Sequence, residues 1–398
     1  MTFRIVVAYS IQVVNLLILL PFFLVVILPY TKVRRLILKK LHRKPHILWG
    51  PVPIINISHN RNVDRTMGYA SDCLVYQTYH ITQNSLFDYN LNIDKIFKLR
   101  IIGIIGLALP FLTMLWASFR YDIFHFFYCG GFLYTNAWLV KSEFILWKII
   151  GKVVIVSAYG ADIRLESVTR KLGKYNAYMD MTHKEIEKEI GQTEKQIQTR
   201  VNFILRWSTV SLSMGDMIEY TPGSKNDVFY WSIDTKDWQP VYETNNKEIV
   251  ILHAPNHTHY KGTRFLLPVI ERLKREGYPI KFILIQKMTN EQARKYYEQA
   301  DIIAEQFIIG WHGFFAVEAM ALGKPVLCYI RKKEYLPNWA DCPIVNTPPE
   351  KIYENLLMLI KNRELRVEIG KKGRQYVEKV FSLQSVGERL DKIYKDIF

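Results

Sequence analysis

The chain has 398 residues, 49% of them hydrophobic, which is enough for two domains of ordinary size with their own cores. Its formal net charge of +16 favours anionic partners such as nucleotide diphosphates, lipid phosphates or an anionic membrane surface. No zinc-finger or RNA-binding pattern accompanies this charge, so nucleic acid is not an expected partner. The cysteines lie far apart without metal-site spacing, so we expect reduced thiols and no disulfide framework: Cys73, Cys129, Cys328 and Cys342.

The N-terminus is almost wholly apolar over residues 5–30, which is long enough to cross a hydrocarbon core of about 30 Å. It has no small-residue cleavage site, so we expect it to be retained. The pattern predicts a transmembrane or membrane-anchoring helix over residues 1–31, and a buried first helix is the alternative. A basic juxtamembrane segment follows over residues 32–46. By the positive-inside rule it predicts a single-pass anchor with the body of the protein in the cytoplasm, and it could also lie along an anionic leaflet.

Residues 101–118 form a second apolar stretch of marginal length. It could be a second membrane span. Because Gly103, Gly106 and Pro110 interrupt it, we favour a buried or membrane-dipping helix.

Three apolar strands in the first half of the chain each end in a glycine turn, near residues 47–51, 121–131 and 152–162. Ligands in open α/β sheets bind beyond the carboxyl ends of the strands, so these turns are expected to line a cleft. The residues concerned are Gly50, Gly130, Gly131, Tyr159 and Gly160. Asp162 either orients a ligand hydroxyl or caps the helix that follows it. His125, inside an apolar strand, is expected to be a core residue.

A polar stretch at residues 242–248 predicts a domain boundary between residues 243 and 244. A strand then ends near Leu252, and a loop carrying His257 and His259 leads through Lys261 into an amphipathic helix. Further on, an apolar strand is followed by Gly310 and Gly313.

A helix is predicted from about residue 314 to the stop signal Gly323, before a strand that begins at Val326. A strand–glycine turn–helix unit aims backbone N–H groups and the positive end of a helix beyond the strand, which suits a phosphate or diphosphate. Glu318 lies in the apolar face of this helix, where an unpaired charge is costly to bury. It therefore either faces solvent or has a polar partner, for example a ribose diol.

The segment EAMALGKPV at 318–326, with the glycine turn before it, resembles the nucleotide-sugar signature of GT-B glycosyltransferases. The resemblance is to the large retaining group, family 4, with a Glu-x7-Glu motif. It implies an α/β GT-B fold, with two Rossmann-like domains facing across a cleft. The implied acceptor domain spans residues 47–243, the nucleotide-sugar domain spans 244–380, and a C-terminal helix over 381–398 returns to the first domain.

The resemblance also implies roles for individual residues. Glu318 matches the second motif Glu, which contacts the nucleotide ribose, whereas Gly310 stands where the first is expected. Lys261 matches a lysine directed at the donor diphosphate, a catalytic role, and His257 and His259 lie near the position of its basic partner. The glycine turn would bind the phosphate or sugar through Gly310, Trp311, His312, Gly313 and Phe314.

On the acceptor side, Asp162 matches a catalytic-site Asp of the family, and Tyr159 stands where the family often has a His. The implied activity is sugar transfer, with retention, from a UDP- or GDP-linked sugar to an acceptor hydroxyl. The anchor favours a lipid-linked glycan acceptor in surface polysaccharide or glycolipid synthesis. No Asp-x-Asp pair is present, so neither a metal nor another cofactor is implied. A non-catalytic nucleotide-binding or scaffold protein and a nucleotide-sugar epimerase are the alternatives, and the first is favoured by the loss of the first Glu at Gly310.

Overall fold

A computed structural model describes residues 3–78, 84–92, 103–134, 136–228 and 230–398. The first half of the chain forms a six-stranded sheet whose paired strands are all parallel, in the order β3-β2-β1-β4-β5-β6. Helices cover the sheet, so its central strands are apolar throughout rather than alternating. The strands are β1 Ile47–Trp49, β2 Ser71–Val75, β3 Tyr89–Asn90, β4 Ile123–Phe127, β5 Val153–Ser157 and β6 Val210–Leu212.

The second half forms a five-stranded parallel sheet in the order β11-β10-β9-β7-β8. Its strands are β7 Ile249–His253, β8 Ile280–Leu284, β9 Ile302–Gln306, β10 Val326–Cys328 and β11 Val345–Asn346. The strand order reverses beside β1 in the first sheet and beside β7 in the second, the switch points where open α/β sheets bind ligands. The prediction of two Rossmann-like sheets is confirmed. The boundary between residues 243 and 244 stays a prediction.

Helices pack on both sheets. They are α1 Phe3–Phe22, α2 Leu28–Lys40, α3 Asn56–Thr66, α4 Gly103–Arg120, α5 Ala137–Ile149, α6 Glu166–Thr169, α7 His183–Ile190, α8 Glu194–Trp207, α9 Thr258–Lys261, α10 Thr263–Arg275, α11 Asn290–Gln299, α12 Phe314–Ala321, α13 Ile352–Lys361, α14 Arg363–Val380 and α15 Leu383–Ile397. Helix α12 ends where the sequence predicts, because Gly323 follows with a φ of +71°.

The N-terminal helix is longer than the predicted anchor. A π-helical stretch, Phe23–Ile27, joins α1 to α2, so the helix continues past residue 31 into the basic segment and ends at Lys40. Within the described residues, one helix, Ser10–Lys40, is long and apolar enough to cross a membrane, which by itself is weak evidence for an anchor. The stretch at 101–118 is helix α4 from Gly103 onward, and residues 101 and 102 lie outside the described part of the chain.

The C-terminal helix α15 packs on the first half of the molecule. The Tyr394 hydroxyl donates to Asp64 Oδ1 at 2.9 Å and contacts His125 Nε2 at 2.8 Å. The Tyr69 hydroxyl donates to Asp391 at 2.7 Å. His125 is buried in this core and stacks on Trp49, as expected of a core histidine.

Candidate functional site

A cavity of about 750 Å³ lies between the two halves, beyond the carboxyl ends of their strands. The first half contributes Tyr159 and Asp162 to its wall, and the second half contributes His257 and Lys261. These four predicted site residues therefore face one space. The other predicted site residues do not line this cavity.

Lys261, at the end of α9, forms an ion pair with Glu305, whose side chain is fully buried at the end of β9. Glu305 also accepts a hydrogen bond from the Gly313 backbone N–H at 3.3 Å and one from Cys328 Sγ at 3.1 Å. The pair therefore holds a cation directly beside the turn before α12. Sequence reasoning missed Glu305, although a lone carboxylate in a buried apolar strand requires a partner.

Gly313 is the N-cap residue of α12, an eight-residue helix whose first N–H groups point out of the helix end. A Cβ at this position would lie 2.7 Å from Glu305 Oε1 and 3.1 Å from Lys261 Nζ. Glycine is therefore required for the close approach. An ammonium group and the positive end of a helix meet here, which is an arrangement suited to phosphate oxygens.

Gly310 has a φ of +89°, and a Cβ there would overlap the guanidinium of Arg331. Arg331 Nη2 donates to the carbonyl oxygens of Tyr175 at 2.9 Å and Ile309 at 2.7 Å, and Nη1 lies 3.6 Å from Asp216. Its Nε and Nη1 atoms are buried and have no hydrogen-bond acceptor among the described residues. Arg331 thus fills the space that a glutamate side chain at position 310 would need.

Glu318 is buried rather than solvent-facing, so the first of its two expected environments is wrong. Asn290 Nδ2 donates to its Oε1 at 2.8 Å. Burial raises the pKa of the Glu318 carboxyl to about 7, and the bond from Asn290 opposes that shift. The polar partner of Glu318 in this structure is therefore the side-chain amide of Asn290, the first residue of α11. Glu318 itself lies in α12, the helix that Gly313 caps.

The remaining residues of the turn are aromatic and face the first half of the molecule. Trp311 and His312 are buried and stacked with ring centroids 4.9 Å apart, and burial lowers the pKa of His312. A Cβ at Gly215 would overlap the Trp311 indole. Phe314 lies 5.6 Å from His59, centroid to centroid. This aromatic group joins the two halves.

His257 and His259 lie on either side of Tyr260, with ring centroids 6.0 and 5.4 Å from it. His257 is exposed and lines the cavity beside Lys261, whereas His259 is half-buried and does not line it. Of the two, His257 has the position from which a side chain could contact a ligand.

Asp162 organises the turn after β5. Its Oδ1 accepts the N–H groups of Tyr159 at 3.1 Å and Gly160 at 3.0 Å, and its Oδ2 accepts that of Tyr128 at 3.1 Å. Burial raises the pKa of its carboxyl to about 6, against the effect of these bonds. The alternative that Asp162 caps the following helix is wrong. The N-cap residue of α6 is Leu165, and no side chain forms a capping hydrogen bond there.

Gly50, Gly130 and Gly131 are required by packing in this structure. A Cβ at Gly50 would overlap the carbonyl of Leu74, and one at Gly131 would overlap the buried Glu143 carboxylate. These glycines place the turns but do not line the cavity.

Two cations of the cavity wall were missed from the sequence, Arg164 and Arg200. Arg200 Nε donates to the Tyr128 carbonyl at 2.8 Å and Nη2 donates to the Asp162 carbonyl at 3.0 Å. Charged residues near or on helices usually face solvent, so the sequence carried no signal for them. The described part of the chain contains no group of three His, Cys, Asp or Glu side chains that could hold a metal ion.

No protein-family model and no curated protein matches the chain. Solved structures do match it. Sucrose-phosphate synthase from Thermosynechococcus elongatus aligns with a TM-score of 0.60 at 14% identity, covering 89% of this chain and 99% of that one. HepE from Anabaena, crystallised with UDP and glucose, aligns at 0.55 and 10% identity, covering 89% and 100%. An α-glucosyltransferase in complex with UDP and DNA aligns at 0.53 and 12%, covering 88% and 99%. The predicted fold is confirmed: this chain has the GT-B fold, with two Rossmann-like halves facing across a cleft.

Proposed function

We propose that the protein is a glycosyltransferase that moves a sugar from a UDP- or GDP-linked donor to an acceptor hydroxyl. The observation that carries this proposal is the position of Lys261, which lines the cavity and lies beside Gly313, the N-cap residue of α12. HepE, which has a similar fold, was crystallised with UDP-glucose, which favours a uridine nucleotide.

In the proposed reaction, the bond from the anomeric carbon to the diphosphate breaks while the acceptor oxygen forms a new bond to that carbon, and the proton of the acceptor hydroxyl passes to the departing diphosphate oxygen. Negative charge develops on the departing diphosphate, and Lys261 and the N-terminus of α12 stabilise it. Glu305 holds Lys261 in place and keeps its charge paired before the donor arrives. Glu318 would accept hydrogen bonds from the ribose hydroxyls, in exchange for the one from Asn290.

The acceptor would enter from the first half of the molecule. Asp162 shapes the Tyr159–Gly160 turn through its backbone bonds, so its proposed role is to position the cavity wall against which the acceptor hydroxyl lies. We further propose retention at the anomeric carbon and a lipid-linked glycan acceptor in surface polysaccharide or glycolipid synthesis. The apolar N-terminal helix supports the proposed attachment to a membrane, and the basic residues that follow it favour the cytoplasmic side for the catalytic halves. The sequence-based prediction for this helix is a single crossing.

The test is donor turnover by detergent-purified protein with a panel of UDP- and GDP-sugars. We expect one donor to be cleaved slowly without acceptor, with its nucleotide released, and we expect the Lys261→Ala and Glu318→Ala variants to lose this turnover. If both variants cleaved the donor as fast as the wild type does, Lys261 and Glu318 would not belong to the donor site.

One observation favours a non-catalytic nucleotide-binding or scaffold protein: the guanidinium of Arg331 covers Gly310, where the family has a carboxylate. The same panel separates the alternatives. A nucleotide that binds without any turnover would support the scaffold, and a new nucleotide sugar formed without nucleotide release would support an epimerase.

A further inference from the structure

The N-terminal helix contacts the body of the protein at intervals between residues 12 and 38. Buried residues recur at helical spacing from one end to the other: Gln12, Phe23, Ile27, Thr31 and Leu38. Residues 12–38 of a helix span roughly 40 Å, which exceeds the thickness of a hydrocarbon core of about 30 Å. No part of this stretch is long enough to cross a bilayer while standing clear of the protein.

This helix packs mainly against α4, and two side-chain contacts also join it to α5, which covers the first sheet. Asn136 Nδ2, at the start of α5, donates to Gln12 Oε1 at 2.8 Å. Phe23 packs edge-on against Trp147, near the end of α5, with ring centroids 6.3 Å apart. Trp147 in turn stacks on Phe124 of β4 at 4.5 Å. A helix that crossed the bilayer in this position would carry the sheet and its polar loops into hydrocarbon, where unsatisfied backbone groups are not tolerated.

The opposite face of the helix is apolar and exposed. The exposed side chains recur from one end of this face to the other: Val13, Val14, Leu17, Ile18, Val25, Val33, Leu36 and Ile37. Helix α4 extends the face, because its Phe119 packs against Phe22 at 6.2 Å and Tyr30 at 5.2 Å, and Leu112 and Trp116 are exposed in the two turns before Phe119. We refer to this helix face and the adjoining part of α4 together as the apolar face.

Basic side chains accompany the apolar face at its C-terminal end. Lys32, Lys39, Lys40 and Arg43 are all exposed, and the whole chain carries a formal net charge of +16. An exposed apolar stripe with adjacent lysines and arginines is typical of helices that lie in the interface of an anionic leaflet.

We propose that residues 12–38 lie in the plane of one anionic leaflet, with the apolar face in the lipid, instead of crossing the bilayer. The proposal rests on the membrane association proposed above and specifies how it is achieved. Asn136, which binds Gln12, directly precedes Ala137, and both Ala137 and Val140 line the cleft cavity. One end of the cavity therefore lies close to the bilayer, and an acceptor with a membrane-embedded tail enters from that same leaflet.

The first test is the sidedness of the two chain ends in sealed vesicles prepared from expressing cells. The full chain carries one epitope tag at each terminus, and protease is added outside with and without detergent. We expect both tags to be digested or protected together, because an in-plane helix leaves both ends on one side. Digestion of one tag and protection of the other would overturn the proposal.

The second test measures flotation of the purified full chain with vesicles of phosphatidylglycerol or phosphatidylcholine. Leu17→Glu together with Val25→Glu is expected to lower the bound fraction at least roughly tenfold, since both side chains enter the lipid. Trp339→Glu, which changes an exposed apolar residue on the other half of the molecule, is the matched control and is expected to bind as wild type does. Unchanged binding of the double variant would contradict the proposal.

A third test asks whether the N-terminal helix stays against the body of the protein in the membrane. With cysteines at both positions, Gln12→Cys and Asn136→Cys are expected to be joined in vesicles by a bifunctional maleimide reagent that spans the space of the two replaced side chains, and the wild type supplies the background. Failure to cross-link would show that the helix leaves the body of the protein in the membrane. None of the three readouts depends on sugar transfer, so failure of this proposal is distinguishable from failure of the proposed enzyme activity.

Discussion

Lys261 is bound by a carboxylate that lies in a strand 44 positions further along the chain. The Glu305 side chain is fully buried, whereas that of Lys261 is 18% exposed. A buried ion pair contributes little net stability, but removing one partner leaves an uncompensated charge. The two residues must therefore be tested together.

We expect Lys261→Ala to lower the free energy of unfolding by about 3 kcal/mol, because it leaves Glu305 buried without a cation. The paired variant Lys261→Met with Glu305→Gln removes both charges and is expected to unfold near the wild-type denaturant concentration. It is nevertheless expected to lose nucleotide binding. Urea denaturation and calorimetric titration measure the two effects, and a paired variant that binds nucleotide normally would exclude Lys261 from the donor site.

The Glu318 carboxyl predicts how nucleotide affinity depends on pH. Ribose hydroxyls donate to the ionised carboxylate, and burial raises the pKa of this group to about 7. Binding should therefore strengthen about tenfold from pH 6 to pH 8, as the ionised fraction rises from about a tenth to about nine-tenths. The contribution of this group to stability changes with pH in the opposite direction. Because the pKa of the carboxyl is higher in the folded state, the stabilising contribution is fully present below the unfolded-state pKa and is lost as the pH rises through about 7.

Titration calorimetry at several pH values measures this dependence. Glu318→Gln should flatten the profile, while Glu354→Gln, at an exposed position, should leave it unchanged. A wild-type affinity that is constant between pH 6 and pH 8 would remove Glu318 from the ribose contact.

At this scale, the sequence could predict residues whose neighbours in the chain reveal their setting. Lys261 precedes a glycine and a helix, and Glu318 interrupts an apolar helical face, so both were singled out. Glu305 and Arg331 were not, because their partners come from distant segments of the chain. The Asn290 partner of Glu318 was missed for the same reason.

At the scale of elements, the turn between β9 and α12 depends on Gly310. Gly310→Ala should destabilise the protein by more than the roughly 1–2 kcal/mol that a positive φ costs a non-glycine residue, because the new Cβ also overlaps Arg331. Gly223→Ala is the matched control, since Gly223 has the same φ of +89° and no atom within 4 Å of the added Cβ. Equal unfolding midpoints for the two variants would show that a Cβ at position 310 makes no costly steric contact with Arg331.

The docking of α15 depends on a buried polar network. Tyr394→Phe leaves Asp64 Oδ1 and His125 Nε2 each without a hydrogen-bond partner in the core, and we expect a loss of about 1–3 kcal/mol in unfolding free energy. Tyr353→Phe removes a hydroxyl that binds Glu276 at the surface and should leave the denaturation midpoint unchanged. If both variants unfolded at the wild-type midpoint, the network would not hold the helix.

Elements with strong local signals were predictable. Helix α12 was predicted from its spacing and from Gly323, and the parallel strands were predicted from their short apolar runs. The N-terminal helix was predicted from its hydropathy, but its position beside α5 depends on Gln12 meeting Asn136, a contact between residues 124 positions apart. Hydropathy indicates that a helix is buried in lipid or in a protein core, but it does not indicate the orientation of the helix relative to the membrane.

At the scale of the whole molecule, the two halves meet through charged and aromatic contacts. Arg264 pairs with Asp180, and Lys332 pairs with Glu219, in each case joining the second half to the first. The two-sheet architecture could be predicted because the order of strands and helices along the chain limits the possible topologies. The closeness of the halves, which brings Asp162 and Lys261 to one cavity, depends on pairings that no local pattern encodes.

The cleft is proposed to bind a nucleotide diphosphate at Lys261 and the start of α12. Titration calorimetry of UDP and of GDP into the detergent-purified full chain tests it most directly, with the charge-neutral Lys261→Met, Glu305→Gln variant as the folded control. We predict saturable binding of one of the two nucleotides to the wild type and none to the variant. If neither nucleotide bound the wild-type chain, Lys261 and the start of α12 would not form a nucleotide site.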